Sequence, residues 1–491
     1  MMAAYRAPDR KKPHAPIAEK MAAYAADGAL AFHTPGHKQG KGAHEALRKL
    51  ITAEGLREEV SLMEELDDIH SPSGCIKEAE ELAARLYGAK AAYFMVNGTS
   101  GAIHTMLLAA LSPGDTVLVQ RNAHRSVYSA LVLLGARPIY LAPEVDERLG
   151  IAHGVALATI VCAIQRHPEA KAAVLVNPTY YGITTELDEI AEYLHNKGRL
   201  LLVDEAHGPH LAFCDRLPQD AIAAGADMAA QSTHKILGAM TQGSLLLANG
   251  DHVDYARIRE TTGILTTTSP NQLLLASIDI ARLQMEESGR EAIERTAALA
   301  EKLRQDINKI PGLWSPGKDD FSRAGAVGLD LTKVTVNLAG LTITAIEAEE
   351  ILRHSYKVQC ELSDPENLLF ILSYADSEKE TAVLLAALKD LAQKYLGKEK
   401  KPCTAAMPPL PKTKMSPREA FFAERESVSV KEAAGRIAAE EITCYPPGIP
   451  ALVPGDVVTE EVLRYLERMR KLGRRTIGAQ DADFEKVVVV K

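Results

Sequence analysis

The sequence lacks the features that mark several large classes of protein. Its six cysteines are scattered with no CxxC pair, which disfavours a disulfide framework or a zinc knuckle. No apolar run is long enough to span a bilayer, and the basic start of the chain precedes a segment interrupted by charge, unlike a signal peptide. The net charge of −9 disfavours binding to nucleic acid, which needs a clustered basic face. We expect a soluble, cytoplasmic protein.

The length of the chain predicts several domains, because 491 residues exceed what one hydrophobic core normally supports. We expect an N-terminal segment over 1–74, a large domain over 75–310, a small α/β domain over 311–396 and a C-terminal α+β domain over 417–491. A stretch over 397–416 is rich in proline and lysine and is typical of a linker.

The large domain alternates short apolar runs with amphipathic segments. Runs such as "AAYFMV" and "LLLV" are separated by helical patterns such as "CIKEAEELAARLYG". Strands that are buried on both faces and separated by helices predict a mainly parallel, doubly wound α/β sheet. Ligands bind at the carboxyl ends of the strands in such sheets. We therefore expect the loops that follow the strands to form one site, namely "NGTSG", "RNAHRS", "NPTYYG", "DEAHG" and "STHK".

One strand ends abruptly in polar residues, since "LLLV" is followed at once by "DEAHGPH". Asp204, His207 and His210 are residue types that bind metal ions, and a metal site is one interpretation of this stretch. Taken alone, Lys235 of "STHK" is compatible with an ordinary surface lysine after a strand. Each loop taken alone is weak evidence for any function.

Taken together, the loops match the requirements of pyridoxal phosphate better than those of a metal. This cofactor needs a lysine to bond its aldehyde, a carboxylate for its ring nitrogen and a cradle for its phosphate. Lys235 and Asp204 supply the first two, and the negative charge of Asp204 would keep the ring nitrogen protonated. Gly98, Thr99 and Ser100 open a predicted helix and offer N–H groups, hydroxyls and a favourable dipole to a phosphate.

The same motifs resemble those of a known family. "DEAHG", "STHK" and "NGTSG" are similar to the motifs of fold-type I pyridoxal-phosphate enzymes. "HTPGHKQG", "LTTTSPNQLLLASID" and "YPPGIPALVPGD" resemble those of the ornithine/lysine/arginine decarboxylase family, and the whole chain is most similar to the compact arginine decarboxylases of Gram-positive bacteria. The resemblance implies an aspartate aminotransferase-like large domain with a small α/β domain and a C-terminal domain.

The resemblance also implies roles around the cofactor ring. Lys235 would bond the cofactor, Asp204 would pair with the ring nitrogen, and His124 would stack on one ring face. Ala206 would lie against the opposite face, and His207 would lie near the hydroxyl edge of the ring. Either Lys235 or His207 would return a proton to the α carbon, and the sequence leaves that choice open.

A second group of residues would hold the phosphate. The resemblance places Gly98, Thr99, Ser100, Ser232 and His234 there. Thr267 or Thr268 of "LTTTSP" would reach the phosphate of a neighbouring subunit. This sharing implies a homo-oligomer that is at least a dimer.

The implied reaction is decarboxylation of a basic amino acid, most similar to conversion of arginine to agmatine and carbon dioxide for polyamine biosynthesis. Lysine giving cadaverine and ornithine giving putrescine are the alternatives. A distal cation needs a carboxylate, and a guanidinium prefers a bidentate one. Glu441 is the first candidate, followed by Glu440 and then Asp456, although glutamates that merely face solvent are equally compatible with the pattern.

The N-terminal segment over 1–74 would contribute to the active-site entrance and to the dimer. Thr34 and His37 of "TPGHK" are the candidate substrate-binding residues there, and a purely structural turn at Pro35-Gly36 is the alternative. Four rival functions stay open at this point: an aminotransferase, a carbon–sulfur lyase, a metallohydrolase and a cofactor-binding regulator. We expect pyridoxal phosphate and no metal, membrane or nucleic acid.

Overall fold

A computed structural model describes residues 12–61, 63–397, 408–444, 449–471, 476–481 and 483–491. The helices in these ranges are α1 (Pro16–Asp27), α2 (Glu45–Leu50), α3 (Ala53–Glu58), α4 (Cys75–Tyr87), α5 (Gly98–Ala110), α6 (Arg125–Leu134), α7 (Leu157–Arg166), α8 (Leu187–His195), α9 (Thr233–Ile236), α10 (Tyr255–Leu265), α11 (Gln272–Ile307), α12 (Ala345–Ile351), α13 (Glu378–Tyr395), α14 (Pro417–Phe422) and α15 (Glu460–Lys471).

The strands in the described residues are mostly short. They are β1 (Ala91–Met95), β2 (Thr116–Gln120), β3 (Arg137–Leu141), β4 (Val145–Asp146), β5 (Ile151–Ala152), β6 (Ala172–Val176), β7 (Ile183–Thr184), β8 (Leu200–Asp204), β9 (Met228–Gln231), β10 (Ser244–Ala248), β11 (Gly328–Leu329), β12 (Lys333–Asn337), β13 (Leu362–Ser363), β14 (Asn367–Ile371), β15 (Arg425–Ser429), β16 (Ile442–Cys444), β17 (Pro450–Leu452), β18 (Thr476–Ile477) and β19 (Lys486–Val490).

The large sheet has seven strands in the order β1-β10-β9-β8-β6-β2-β3. β8 runs parallel to β9, and β2 runs parallel to both β3 and β6. β10 is the reversed strand, since it runs antiparallel to both β1 and β9. The predicted α/β class and mainly parallel sheet are confirmed, and β10 makes the sheet mixed.

The described chain divides into two compact units. Unit 1 comprises the described residues up to Ala110, with Leu202–Asp215 and Gln219–Ala292. It contains β1, β9, β10 and the end of β8, with α4 and α5 beside them. Apolar side chains fill these strands, and residues 245–248 of β10 are completely buried. The run "LLLV" is a buried strand because water would otherwise contact two apolar faces.

Unit 2 comprises Leu111–Leu201, Arg216–Pro218 and the described residues from Ile293 onward. It holds β2, β3 and β6, and also a three-stranded sheet in the order β12-β14-β13 that packs with α12 and α13 around one apolar cluster. A separate apolar cluster over 430–489 joins α15 to β16, β17 and β19.

The predicted second α/β region and C-terminal module thus each contain an apolar cluster, but the domain boundaries themselves stay a prediction. Parts of the N-terminal segment (1–11), of the linker (398–407) and of "YPPGIPALVPGD" (445–448) lie outside the described residues. No helix in the described ranges is both long and apolar enough to cross a membrane.

Candidate active site

Asp204 ends the buried strand β8 in unit 1. Its side chain is only 3% exposed, and its Oδ1 accepts a hydrogen bond of 3.1 Å from the main-chain N–H of Ala206. That bond fixes the carboxylate relative to the following turn. β8 pairs in parallel with β9, with Asp204 opposite Ala230, so both strands present their carboxyl ends at one edge. Ala206 itself is half-buried in the same turn.

Lys235 and His207 meet at this edge. Lys235 lies in α9, which follows β9 directly, and its Nζ is 3.0 Å from Nε2 of His207. His207 is buried, whereas Lys235 is exposed. The contact is a hydrogen bond in which one of the two nitrogens donates its proton to the other. The structure therefore brings Lys235 and His207 into contact at the strand edge where Asp204 ends β8.

The loop "NGTSG" forms the first turn of α5, as the sequence predicts. Gly98 has φ 66, a left-handed conformation that glycine adopts without strain, and a Cβ added there would meet no atom within 4 Å. The N–H of Gly98 donates to the carbonyl of Gln242 at 3.0 Å. The N–H groups that this turn can offer to a phosphate are therefore those of Thr99 and Ser100. Thr99 is buried and Ser100 is exposed.

His234 and Ser232 flank Lys235 on the same segment. Nδ1 of His234 lies 2.9 Å from the carbonyl oxygen of Gly243, which can only accept, so Nδ1 carries a proton. The hydroxyl of Ser232 is 3.3 Å from the same nitrogen. With Nδ1 committed, Nε2 of His234 can donate to a phosphate only when the ring is protonated. The role of both residues toward a phosphate stays a prediction.

Other predicted cofactor residues are exposed. His124 belongs to unit 2, where its Nδ1 accepts from the N–H of Ser126 at 3.2 Å and begins helix α6. Thr267 and Thr268 lie on the surface of unit 1, and the hydroxyl of Thr267 accepts from the N–H of Ser269 at 3.1 Å. Their contacts with a cofactor or a second subunit stay predictions.

His37 is held on both ring nitrogens by its own segment. Nδ1 accepts from the N–H of Gly40 at 3.1 Å, and Nε2 lies 2.8 Å from Oε2 of Glu59. These contacts favour the structural alternative for His37, because the ring is already occupied. Thr34 precedes Pro35 through a cis peptide bond and is exposed.

The three candidate substrate carboxylates of unit 2 have different surroundings. Glu440 is 7% exposed and accepts N–H groups from Gln480 at 2.8 Å and Val488 at 2.7 Å, which makes it a structural residue. Asp456 is completely buried and is bonded to Arg121 at 2.7 Å, so its carboxylate serves an internal ion pair rather than a substrate. These contacts favour a structural role for both carboxylates, and a role in substrate binding stays a prediction.

Glu441 differs from both, since it is only half-buried and one oxygen contacts Thr443 at 3.2 Å. Burial raises the pKa of Glu441, while Thr443, Arg125 and Arg121 oppose that shift. Gly478 lies against its main chain: φ is 89, and a Cβ added to Gly478 would lie 2.3 Å from the carbonyl oxygen of Glu441.

Sequence reasoning missed the buried hydrogen-bonding role of Glu205, which directly follows Asp204. Glu205 is completely buried, and its carboxyl accepts the N–H of Ala221 at 2.7 Å and the amide of Gln231 at 2.8 Å. Burial, reinforced by the nearby Asp220, raises the pKa of Glu205 well above its usual value. The signal that could have found it is strand alternation, because successive side chains point to opposite faces.

The residues of unit 1 fit pyridoxal phosphate on chemical grounds. An exposed lysine amine, a buried carboxylate and the open turn at Gly98 are the three groups that this cofactor needs. Within the described part of the chain, no group of three or more His, Cys, Asp or Glu side chains is arranged to hold a metal ion.

Comparison with known proteins identifies the family. The sequence pattern of the Orn/Lys/Arg decarboxylase major domain matches residues 15–318. The chain belongs to the Orn/Lys/Arg decarboxylase family. The pattern of the family's C-terminal domain matches residues 400–481. The predicted resemblance is confirmed, and the chain is a decarboxylase rather than an aminotransferase, metallohydrolase or regulator.

Individual members of the Orn/Lys/Arg decarboxylase family are similar along most of the chain. An arginine decarboxylase of Halalkalibacterium halodurans is 42% identical over 478 residues, which cover 97% of each protein. A lysine decarboxylase of Pseudomonas aeruginosa is 28% identical and covers 94% of this chain and 77% of its own. The crystal structure of a Francisella novicida lysine decarboxylase has a TM-score of 0.84 at 24% identity, covering 97% of this chain and 81% of that one.

The fold and the family together imply pyridoxal phosphate as the cofactor. The fold-type I architecture predicted from the sequence is confirmed by these structural neighbours, which include a ureidoglycine–glyoxylate aminotransferase of Bacillus subtilis with a TM-score of 0.53 at 15% identity, covering 67% of this chain and 87% of that one.

Proposed function

We propose that this member of the Orn/Lys/Arg decarboxylase family uses pyridoxal phosphate to decarboxylate arginine to agmatine and carbon dioxide. The observation that carries the proposal is the contact of 3.0 Å between Lys235 and His207, at the strand edge where Asp204 ends β8. The 42% identity to an arginine decarboxylase, against 28% to a lysine decarboxylase, supports arginine as the substrate.

Each residue of the edge has one task in this proposal. Bound pyridoxal phosphate would draw electrons from the bond to the carboxylate, which leaves as carbon dioxide. Lys235 would hold the cofactor, and Asp204 would hold the protonated ring nitrogen. The burial of Asp204 strengthens that attraction, because the surrounding dielectric is low. Lys235 Nζ and His207 Nε2 are close enough to pass one proton between them, so either residue could donate a proton to the α carbon of the substrate.

Roles for the remaining predicted residues of the site are also part of the proposal. Ser100, Ser232 and His234 would bind the phosphate. His124 would stack on the ring, and Ala206 would leave space for its other face. Thr267 or Thr268 would contribute from a second subunit, which makes a homodimer the smallest complete enzyme. Release of agmatine would supply polyamine biosynthesis in the cytoplasm.

We propose Glu441 as the residue that would recognise the substrate side chain. Glu441 is half-buried, so water screens its charge less than it screens an exposed carboxylate. Its charge-assisted hydrogen bond with a guanidinium would therefore be stronger. Arg, with its planar fork of donors, gains two parallel bonds from one carboxylate, whereas an ammonium gains one.

The experiment that tests this function is an amine assay on purified protein loaded with pyridoxal phosphate. Arginine, lysine and ornithine are supplied separately, and agmatine, cadaverine and putrescine are quantified. We expect agmatine from arginine at a rate at least ten-fold above the other two products, the ratio that one additional charge-assisted bond provides. Cadaverine or putrescine as the main product would overturn arginine while keeping the reaction. The absence of every amine from cofactor-loaded protein would overturn the proposed reaction.

A further inference from the structure

Four buried polar residues of unit 1 form a continuous hydrogen-bonded chain that the proposed reaction does not use. Thr99 Oγ1 lies 2.9 Å from Ser244 Oγ, the hydroxyl of Ser244 donates to the carbonyl oxygen of Gln231, and the amide of Gln231 contacts Glu205 at 2.8 Å. Ser244, Gln231 and Glu205 are completely buried, and Thr99 is 8% exposed. We call these residues the buried relay.

The buried relay connects the three loops that carry the proposed cofactor site. Thr99 lies in the first turn of α5, which begins with "GTSG". Gln231 ends β9, four residues before Lys235, and Glu205 follows Asp204 at the end of β8. Ser244 begins β10 and bonds to both Thr99 and Gln231. The relay therefore connects the elements whose mutual position decides where a lysine, a carboxylate and a phosphate site lie.

The direction of the hydrogen bonds follows from counting protons. A hydroxyl has one proton, and a carbonyl oxygen can only accept. The proton of Ser244 is used by the carbonyl of Gln231, so Ser244 Oγ must be the acceptor in its contact with Thr99. The hydroxyl proton of Thr99 consequently points into the protein. It is not available to donate to a phosphate oxygen.

We propose that Thr99, Ser244 and Gln231 are positioning residues that fix the phosphate-binding turn of α5 against β9. The phosphate would be bound by the main-chain N–H groups of Thr99 and Ser100 and by the exposed hydroxyl of Ser100, and not by the hydroxyl of Thr99. This inference rests on the proposed function, and it revises the role expected for the Thr99 side chain. It also gives the hydroxyl of Thr99, which is only 8% exposed, a hydrogen-bond partner inside the protein.

The test compares the binding of pyridoxal phosphate with that of pyridoxal, which lacks the phosphate. Dissociation constants of both compounds are measured by absorbance titration of the cofactor-free protein. The ratio of the Kd of pyridoxal to the Kd of pyridoxal phosphate reports the contribution of the phosphate, and a weaker phosphate site lowers this ratio. We compare Thr99→Val, Ser244→Ala, the double variant and Ser100→Ala with the unchanged protein. Thr99→Ser, which keeps the hydroxyl, is the matched control. Thermal unfolding of each cofactor-free protein is measured in parallel.

We expect Ser100→Ala to lower the ratio about ten-fold, since it removes a hydrogen bond to a charged group. Thr99→Val should lower the ratio about three-fold and the unfolding temperature by about 2 °C, the effect of one neutral hydrogen bond, whereas Ser244→Ala also loses the bond to Gln231 and should lower both at least as much. The double variant should be no worse than Ser244→Ala alone, because the bond between Thr99 and Ser244 is already lost there. Thr99→Ser should behave as the unchanged protein.

Three outcomes would overturn the inference. Thr99→Val could lower the ratio as strongly as Ser100→Ala while Ser244→Ala leaves it unchanged, which would make the Thr99 hydroxyl a direct phosphate ligand. Both variants could lower the unfolding temperature without changing the ratio, which would leave a structural bond with no positioning role. Additive effects in the double variant would show that Thr99 and Ser244 act independently and not through their shared hydrogen bond. If the unchanged protein did not prefer pyridoxal phosphate to pyridoxal, the proposed function itself would fail, and the inference with it.

Discussion

Nζ of Lys235 lies 3.0 Å from Nε2 of His207, although 28 residues separate them in the chain. The contact joins a residue of the "DEAHG" turn to one of the "STHK" segment, because β8 and β9 are adjacent and parallel. A proton on either nitrogen is thus available at the place where the proposed reaction needs one. The sequence leaves open which residue protonates the α carbon, and this contact makes that question testable.

Replacing His207 with alanine should lower kcat about 100-fold, the contribution typical of one acid–base group. Lys235 remains in that variant, so the protein should still bind pyridoxal phosphate, which absorbance measures. An unchanged kcat would assign the proton transfer to Lys235 alone.

Replacing Glu205 with glutamine should stabilise the protein at pH 8 by about 1–3 kcal/mol, because the folded protein must retain a proton on Glu205 that the unfolded chain releases, whereas an amide does not titrate. The folded pKa of Glu205 lies well above its unfolded value, so the folded protein binds the proton more tightly. Stability of the unchanged protein therefore falls as pH rises above the unfolded value of about 4.3, until the folded pKa is passed.

The measurement is the urea midpoint of both proteins from pH 5 to pH 8. The advantage of Glu205→Gln should grow with pH across that window. Glu189→Gln on the exposed surface of α8 is the control, and its midpoint should follow that of the unchanged protein. A gap that is constant with pH would contradict the raised pKa of Glu205.

The buried pair of Arg121 and Asp456 should be important for the stability of unit 2. Both side chains are fully buried, and Arg121 also donates to the carbonyl of Pro450 at 3.0 Å. Asp456→Asn should cost about 3–5 kcal/mol, because it leaves the guanidinium without its counter-charge. Denaturant unfolding followed by circular dichroism measures the loss.

An exposed ion pair provides the control for that experiment. Glu460 and Arg464 are one turn apart on α15 and largely exposed. Glu460→Gln should change stability by no more than about 0.5 kcal/mol, since such pairs are screened by water. Equal losses in the two variants would contradict the importance of the buried pair.

Glu441 and Glu440 are adjacent, and their substitution should have different consequences. Glu441→Gln should raise KM for arginine about 10- to 100-fold with a smaller effect on stability, because it removes a charge-assisted contact with the guanidinium. Glu440→Gln should instead lower the unfolding temperature, since Glu440 accepts two main-chain N–H groups. Steady-state kinetics and thermal unfolding of both variants separate the two effects. A normal KM for Glu441→Gln would remove that residue from substrate recognition.

Much of the fold could be predicted because its signals are local. β8 is visible as four apolar residues in succession, and α4 as a helical pattern that ends before Gly88. Asp204 and Lys235 were recognisable for a related reason, since Asp204 ends a buried strand and Lys235 lies four residues after another, at the edge where ligands bind.

The rest of the site depends on contacts that the sequence does not express. Asp456 and Arg121 are 335 residues apart, so no local pattern could show that they bond to each other. Glu205 was not distinguished from Asp204, because its partners Ala221 and Gln231 arrive from other parts of the fold. The direction of the Thr99 hydroxyl likewise depends on Ser244, which no motif includes.

Gly478 carries no functional group, yet it constrains the main chain of Glu441. Any side chain at Gly478 would collide with the main chain of Glu441, and the positive φ would strain it further. A single substitution of Gly478 would displace Glu441, the carboxylate proposed to recognise the substrate, without changing any charge. Substrate preference could therefore diverge between relatives whose catalytic residues are all the same, and a search restricted to polar positions would overlook the cause.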